Sequence, residues 1–100
     1  MGRESYLAFE SRIRAVGLYD EMREICASRA VTLSQVHGNR KLATVVMARR
    51  DIWMMLRDKY CKSYGEIAEL FCRDHNTVMI GIRRGKKLSS LKLARRARKP

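Results

Sequence analysis

The chain has 100 residues, of which 46% are hydrophobic, so it is long enough for one domain with a modest core. Its 22 Lys and Arg residues against 10 Asp and Glu residues give a formal net charge of +12, which favours a polyanionic partner. No stretch approaches the roughly 18 apolar residues of a membrane span, and a signal-peptide core is absent, so we expect a cytoplasmic protein with no membrane partner.

The N-terminal part of the chain predicts two helices. Gly17 separates a helix over residues 4–16 from a second helix over residues 19–28. The first is indicated by apolar residues at spacings of three and four: Tyr6, Phe9, Ile13 and Val16. We expect residues 1–28 to form a helical extension that packs on the core. A contact of the N-terminal helix with a second copy of the chain or with another protein is an alternative.

The middle of the chain predicts a short helical turn, a basic loop and a long helix. Thr32 is a natural cap for the turn "TLSQV" (32–36), which the polar loop "HGNRK" (37–41) follows. Trp53 lies beside the apolar stripe of the long helix and is predicted to pack in the core. The stripe predicts a helix over residues 43–60 and consists of Val45, Ala48, Ile52, Met55 and Leu56.

Two helices joined by a tight turn are predicted between residues 63 and 82. Ser63 and Glu66 have the spacing of a capping box, which starts a helix that runs to about residue 71. Cys72 and Arg73 would form the turn, and Asp74 would cap the next helix. Three residues of that helix should face inward: Val78, Gly81 and Ile82.

Five consecutive polar residues stand at this turn and at the start of the last helix: Arg73, Asp74, His75, Asn76 and Thr77. The pattern is typical of a helix-turn-helix whose second helix enters the DNA major groove with its N-terminus first. Asn can pair with the adenine edge, Thr with thymine, and Arg with guanine or phosphate. An ordinary helix start is also polar, so simple capping remains an alternative here.

Basic residues flank this row on both sides. Residues 29–62 have a net charge of +6, and residues 83–100 hold nine bases and no acid. The second segment predicts contacts with phosphates or with a minor groove, while a solvated tail or an amphipathic helix on anionic lipid are alternatives. The residues concerned are Arg83, Arg84, Lys86 and Lys87. Residues 89–100 are expected to form a basic tail.

No motif predicts catalysis, a metal or a cofactor, so we expect a protein that is not an enzyme. The segment "GIRRGKK" (81–87) departs from the phosphate-binding loop, since the glycine spacing is too short and no Ser or Thr follows the lysine. The three cysteines lack a CxxC pair and are expected to be reduced thiols.

Residues 20–88 resemble the C-terminal, box-binding domain (domain IV) of the bacterial chromosomal replication initiator DnaA. That family's motif, F-G-G-R-D-H-T-T-V, corresponds here to "FCRDHNTV" (71–78). The segments "RRDIWMML" (49–56) and "SYGEIAELF" (63–71) resemble the family's long helix and the helix after it. The chain differs from the family where Cys72 stands in place of two glycines, so a shorter turn is expected. It also differs where Gly85 stands in place of the family's aliphatic residue, so the last helix is expected to end there.

The resemblance implies an all-α domain over residues 29–88, with a helix-turn-helix like that of the tryptophan repressor. It implies that Asp74, His75, Asn76 and Thr77 read the major groove. It further implies a minor-groove contact by Arg40 or Lys41, and phosphate contacts by Arg50 and Lys62.

Together these features predict a nucleoid-associated, non-enzymatic protein that binds double-stranded DNA sequence-specifically and regulates transcription or replication initiation. It would need no cofactor. Two alternatives stay open: an adaptor or inhibitor that binds protein through the same fold, and a nonspecific nucleic-acid-binding protein.

Overall fold

Helices form all the regular structure of the residues that the computed structural model describes, which are 5–38 and 41–97, with side chains described as far as Lys87. These residues contain no strand, so the predicted all-α fold is confirmed. Within the same ranges, no helix has the length and hydrophobicity to cross a bilayer. The helices in chain order are α1 (Tyr6–Ala15), α2 (Tyr19–Ser28), α3 (Leu33–His37), α4 (Ala43–Asp58), α5 (Tyr64–Phe71) and α6 (His75–Ala97).

Side-chain caps explain where α3 and α5 begin. Thr32 Oγ1 accepts a hydrogen bond from Gln35 N at 3.2 Å, and Gln35 Oε1 accepts one from Thr32 N at 2.9 Å. Ser63 and Glu66 repeat this exchange at 3.1 and 2.8 Å, so the predicted capping box is confirmed. The hydrogen bond from the Ser63 backbone holds the pKa of the Glu66 carboxyl below its usual value. Each box satisfies two backbone N–H groups that a helix start would otherwise leave without partners.

Every helix contributes to one hydrophobic core. Phe9 and Ile13 of α1 are fully buried, and the Phe9 ring lies 5.1 Å from the Phe71 ring. Trp53 is 3% exposed and meets Phe71 edge-on, which confirms its predicted packing role. The prediction for Val16 was wrong, because α1 ends at Ala15 and leaves Val16 55% exposed.

The last helix is longer than predicted, because α6 continues through Gly85 to Ala97. Gly81 and Gly85 are both buried and lie against α4. A Cβ on Gly81 would stand 2.6 Å from Trp53 Cζ3, and one on Gly85 would stand 3.0 Å from Met54 Sδ. Packing against α4 thus outweighs the roughly 1 kcal/mol by which glycine disfavours a helix interior. The two glycines of "GIRRG" therefore serve helix–helix contact.

Candidate nucleic-acid interface

The turn between α5 and α6 is held by backbone hydrogen bonds and by α1. Cys72 has φ 51° and ψ 47°, the left-handed conformation in which glycine is usually found after a helix. Cys72 N donates to Glu69 O at 3.3 Å, and Arg73 N donates to Ala68 O at 2.8 Å. Arg12 Nε donates to Leu70 O at 3.2 Å, so a side chain of α1 satisfies a carbonyl at the end of α5.

Replacing Cys72 by Gly is expected to stabilise the protein by about 1 kcal/mol, because a residue with a Cβ pays about that penalty in the left-handed region. Urea unfolding of the wild type and of Cys72→Gly measures the difference. Cys72→Ala is the matched control, since it removes the thiol and keeps the Cβ. A Gly variant no more stable than the Ala variant would show that the turn carries no such strain.

The first turn of α6 projects polar groups into solvent. Asp74 Oδ2 accepts from Asn76 N at 3.2 Å, which confirms Asp74 as a capping residue. His75, Asn76 and Thr77 are exposed. The His75 ring lies edge-on to the ring of Tyr64, with the centroids 5.9 Å apart. None of these four side chains is buried in the interior.

Two arginines donate hydrogen bonds to the carbonyls at the end of α3. Arg73 Nη2 donates to His37 O at 3.2 Å and to Gly38 O at 2.6 Å. Arg49, which is 8% exposed, donates through Nε to Val36 O and through Nη2 to Gly38 O, each at 3.0 Å. Burial, with a smaller contribution from the charge of Arg73, lowers the pKa of Arg49 to about 10, so Arg49 remains a cation at neutral pH. Arg73 therefore ties the turn before α6 to the end of α3.

Arg49 was not among the residues predicted from the sequence. It follows Val45 by four positions and precedes Ile52 by three, so the helical period already placed it on the buried stripe of α4. A buried arginine needs acceptors, and the carbonyls at the end of α3 supply them.

A cleft of about 350 Å³ lies between α4 and α6. Arg50 of α4 lines it together with Thr77 and Arg84 of α6. No acidic residue of the described chain is among its lining residues. The cleft is therefore positively charged and adjoins the polar start of α6.

The solvent-facing residues of α6 form a continuous stripe along the helix. Because successive residues turn by about 100° in an α-helix, Asn76, Ile80, Arg83 and Lys87 fall in one stripe. This stripe is opposite the inward-facing residues of α6, which are Val78, Gly81, Ile82 and Gly85. We leave out the exposed Lys86, because its ammonium pairs with Asp58, and term the other seven exposed residues of this helix the α6 surface: His75, Asn76, Thr77, Ile80, Arg83, Arg84 and Lys87.

The other predicted contact residues lie apart from this stripe. Lys86 Nζ is 2.8 Å from Asp58 Oδ1 in an exposed ion pair of α6 with α4. Lys41 is exposed before α4, while Arg40 lies outside the described residues. Lys62 is partly buried and lines a different groove with Glu66 and Glu69.

The structure thus brings Arg50 together with Thr77 and Arg84 at one cleft, beside the exposed row that begins at His75. Arg49 also lines this cleft, and both Arg49 and Arg73 donate hydrogen bonds to the carbonyl of Gly38 at the end of α3. The chain matches no protein-family model, no curated protein and no solved structure.

Proposed function

We propose that the protein binds double-stranded DNA sequence-specifically through the α6 surface and acts as a non-enzymatic regulator of transcription or of replication initiation. The observation that carries this proposal is that four of the five polar residues, Asp74 to Thr77, face solvent at the start of α6. Its exposed face then continues into arginine and lysine residues over two further turns. If the polar residues served only to cap α6, the helix would not need hydrogen-bonding groups for bases and basic groups for phosphates along one stripe.

The chemistry of this surface fits a major groove, which is about 12 Å wide and admits one α-helix. Asn76 can bridge the N6 and N7 edge of adenine, and Thr77 can reach a neighbouring base or phosphate. Arg83 and Arg84 extend from the same face toward the phosphate ridges. The N-terminus of α6 adds the positive end of its helix dipole.

Contacts outside α6 would fix the register of the helix on the duplex. Arg50 stands across the cleft from Arg84, so the two can hold adjacent phosphates. Lys41, which is exposed just before α4, is proposed to reach a neighbouring minor groove. The resemblance to the initiator's C-terminal domain, including a helix-turn-helix of the tryptophan-repressor type, leads to the same assignment.

Selection of bound duplexes from a random library, followed by sequencing, tests the proposal. We expect one defined motif to be enriched at moderate salt. Equal retention of all sequences would instead indicate a nonspecific nucleic-acid-binding protein. No retention would indicate an adaptor whose basic faces bind an acidic protein, and either result would overturn the proposal.

His75→Ala and Asn76→Ala are each expected to relax sequence choice at one or two base pairs, by about 1–3 kcal/mol per base pair. The reason is that each removes hydrogen-bonding groups aimed at base edges, while the phosphate contacts stay. The measurement is the change in relative affinity across single-base variants of the selected motif. Ser11→Ala, an exposed polar position on α1, is the matched control and should keep the motif unchanged. An unaltered motif in both α6 variants would contradict the major-groove assignment.

A further inference from the structure

We infer that Ile80 determines specificity by contacting the C5-methyl group of a thymine in the major groove. This inference rests on the proposed function and adds a residue that the sequence pattern did not single out. It follows from the place of Ile80 on α6, from its exposure and from the chemistry of the groove.

Ile80 lies in the middle of the exposed stripe of α6. It follows Asn76 by four residues and precedes Arg83 by three, so it sits between a base-reading side chain and a phosphate-binding one. Ile80 also lines the cleft to α4 beside Thr77 and Arg84. Any helix that presents Asn76 to a base edge therefore presents Ile80 to the same groove.

Ile80 is not part of the enclosed core, although it lines the cleft to α4 with Val46 and Trp53. Val78 and Ile82 on the opposite face are 0% and 1% exposed, whereas Ile80 is 46% exposed. Single exposed apolar residues are common on protein surfaces, so exposure by itself would mean little. Here the residue stands within a row of polar and basic groups that all face the proposed ligand.

The major groove offers an apolar side chain one apolar partner, which is the methyl group of thymine. The β-branched isoleucine keeps nearly a single χ1 conformation in a helix, so it would present its methyl groups with little loss of entropy. The helix rises about 6 Å between Asn76 and Ile80, and a base step is about 3.4 Å. The thymine should therefore lie one to two base pairs from the base that Asn76 reads.

Replacement of thymine by deoxyuridine tests this contact, because it removes only the methyl group. Each thymine of the selected duplex is replaced singly, and affinity is measured by fluorescence anisotropy. One replacement is expected to weaken the affinity of the wild-type protein about fourfold. This factor corresponds to the free energy gained when one methyl group is removed from water, about 0.8 kcal/mol. Ile80→Ala should bind both forms of that duplex equally, and Ile80→Val should retain part of the difference.

Lys87→Ala is the matched control on the same stripe. It should weaken binding to both duplexes equally and keep the fourfold difference in affinity between them, since a lysine contacts phosphates and not methyl groups. Circular dichroism of each variant verifies that it is folded.

Failure of this inference can be distinguished from failure of the proposed function. A selected motif without thymine, an absence of any deoxyuridine effect, or an equal effect in Ile80→Ala would overturn the role of Ile80 and leave DNA reading intact. If no motif is selected, the proposed function fails and the role of Ile80 fails with it.

Discussion

Replacing Phe9 by Ala is expected to lower the free energy of unfolding by about 3–5 kcal/mol, the usual loss for a large aromatic residue in a core. Phe9 is 0% exposed, although it lies only a few residues from the start of the described chain. Its ring stacks on His37 at 4.8 Å and packs against Phe71 at 5.1 Å. A domain of this size has about 5–15 kcal/mol of stability in total, so this one change would remove a large part of it.

Urea unfolding followed by circular dichroism measures the effect. Leu7→Ala is the matched control, because Leu7 lies on the same helix and is 73% exposed. That variant should stay within about 0.5 kcal/mol of the wild type. Similar small losses in both variants would contradict the assignment of α1 to the core.

Loss of packing by α1 should also affect the start of α6. Arg12 of α1 donates to Leu70 O at the end of α5, next to the turn that precedes α6. Residues near the start of the chain thus support the start of α6.

Replacing Gly81 by Ala is expected to destabilise the protein by about 1–3 kcal/mol, the usual cost of overpacking a core. The added Cβ would stand 2.6 Å from Trp53 Cζ3 and 2.9 Å from Trp53 Cε3. The indole ring cannot yield easily, because it is 3% exposed and meets Phe71 edge-on. The intrinsic gain of about 1 kcal/mol for alanine in a helix offsets only part of this clash. Thermal or urea unfolding gives the measurement.

Gly85→Ala is the control for this prediction, because the same substitution one turn later meets a different neighbour. Its Cβ would stand 3.0 Å from Met54 Sδ and Cε, the end of a flexible side chain that can move. We expect a stability within about 1 kcal/mol of the wild type, since relief by Met54 and helix propensity act in the same direction. Equal losses at both glycines would show that the approach of α6 to Trp53 is not what requires Gly81.

Much of the fold could be predicted because its signals are local. Ser63 and Glu66 are three residues apart, and the hydrogen bonds that start α5 join those same two residues. The exposure of His75 follows in the same way from the cap at Asp74, together with the inward period set by Val78 and Ile82. Capping and helical periodicity act over three or four positions, so both can be recognised from the sequence alone.

The anchoring of the surface could not be predicted, because it joins distant parts of the chain. Arg73 was expected to reach DNA, and the structure shows its guanidinium on carbonyls 35 and 36 residues earlier in the chain. Arg49 reaches the same carbonyl of Gly38 from the buried face of α4. The residues next to Arg49 and Arg73 in the sequence do not indicate that these carbonyls are the acceptors.

The sequence by itself determined the helices, their caps, the basic charge and the polar row before Val78. Only the tertiary structure decided that Phe9 packs against His37 and Phe71, that α6 passes through Gly85 without ending, and that Ile80 stands exposed among polar residues. The physical reason is the range of the interactions. Caps and periodicity depend on neighbours one helical turn away, whereas burial and helix–helix approach depend on which distant side chains meet when the chain is folded.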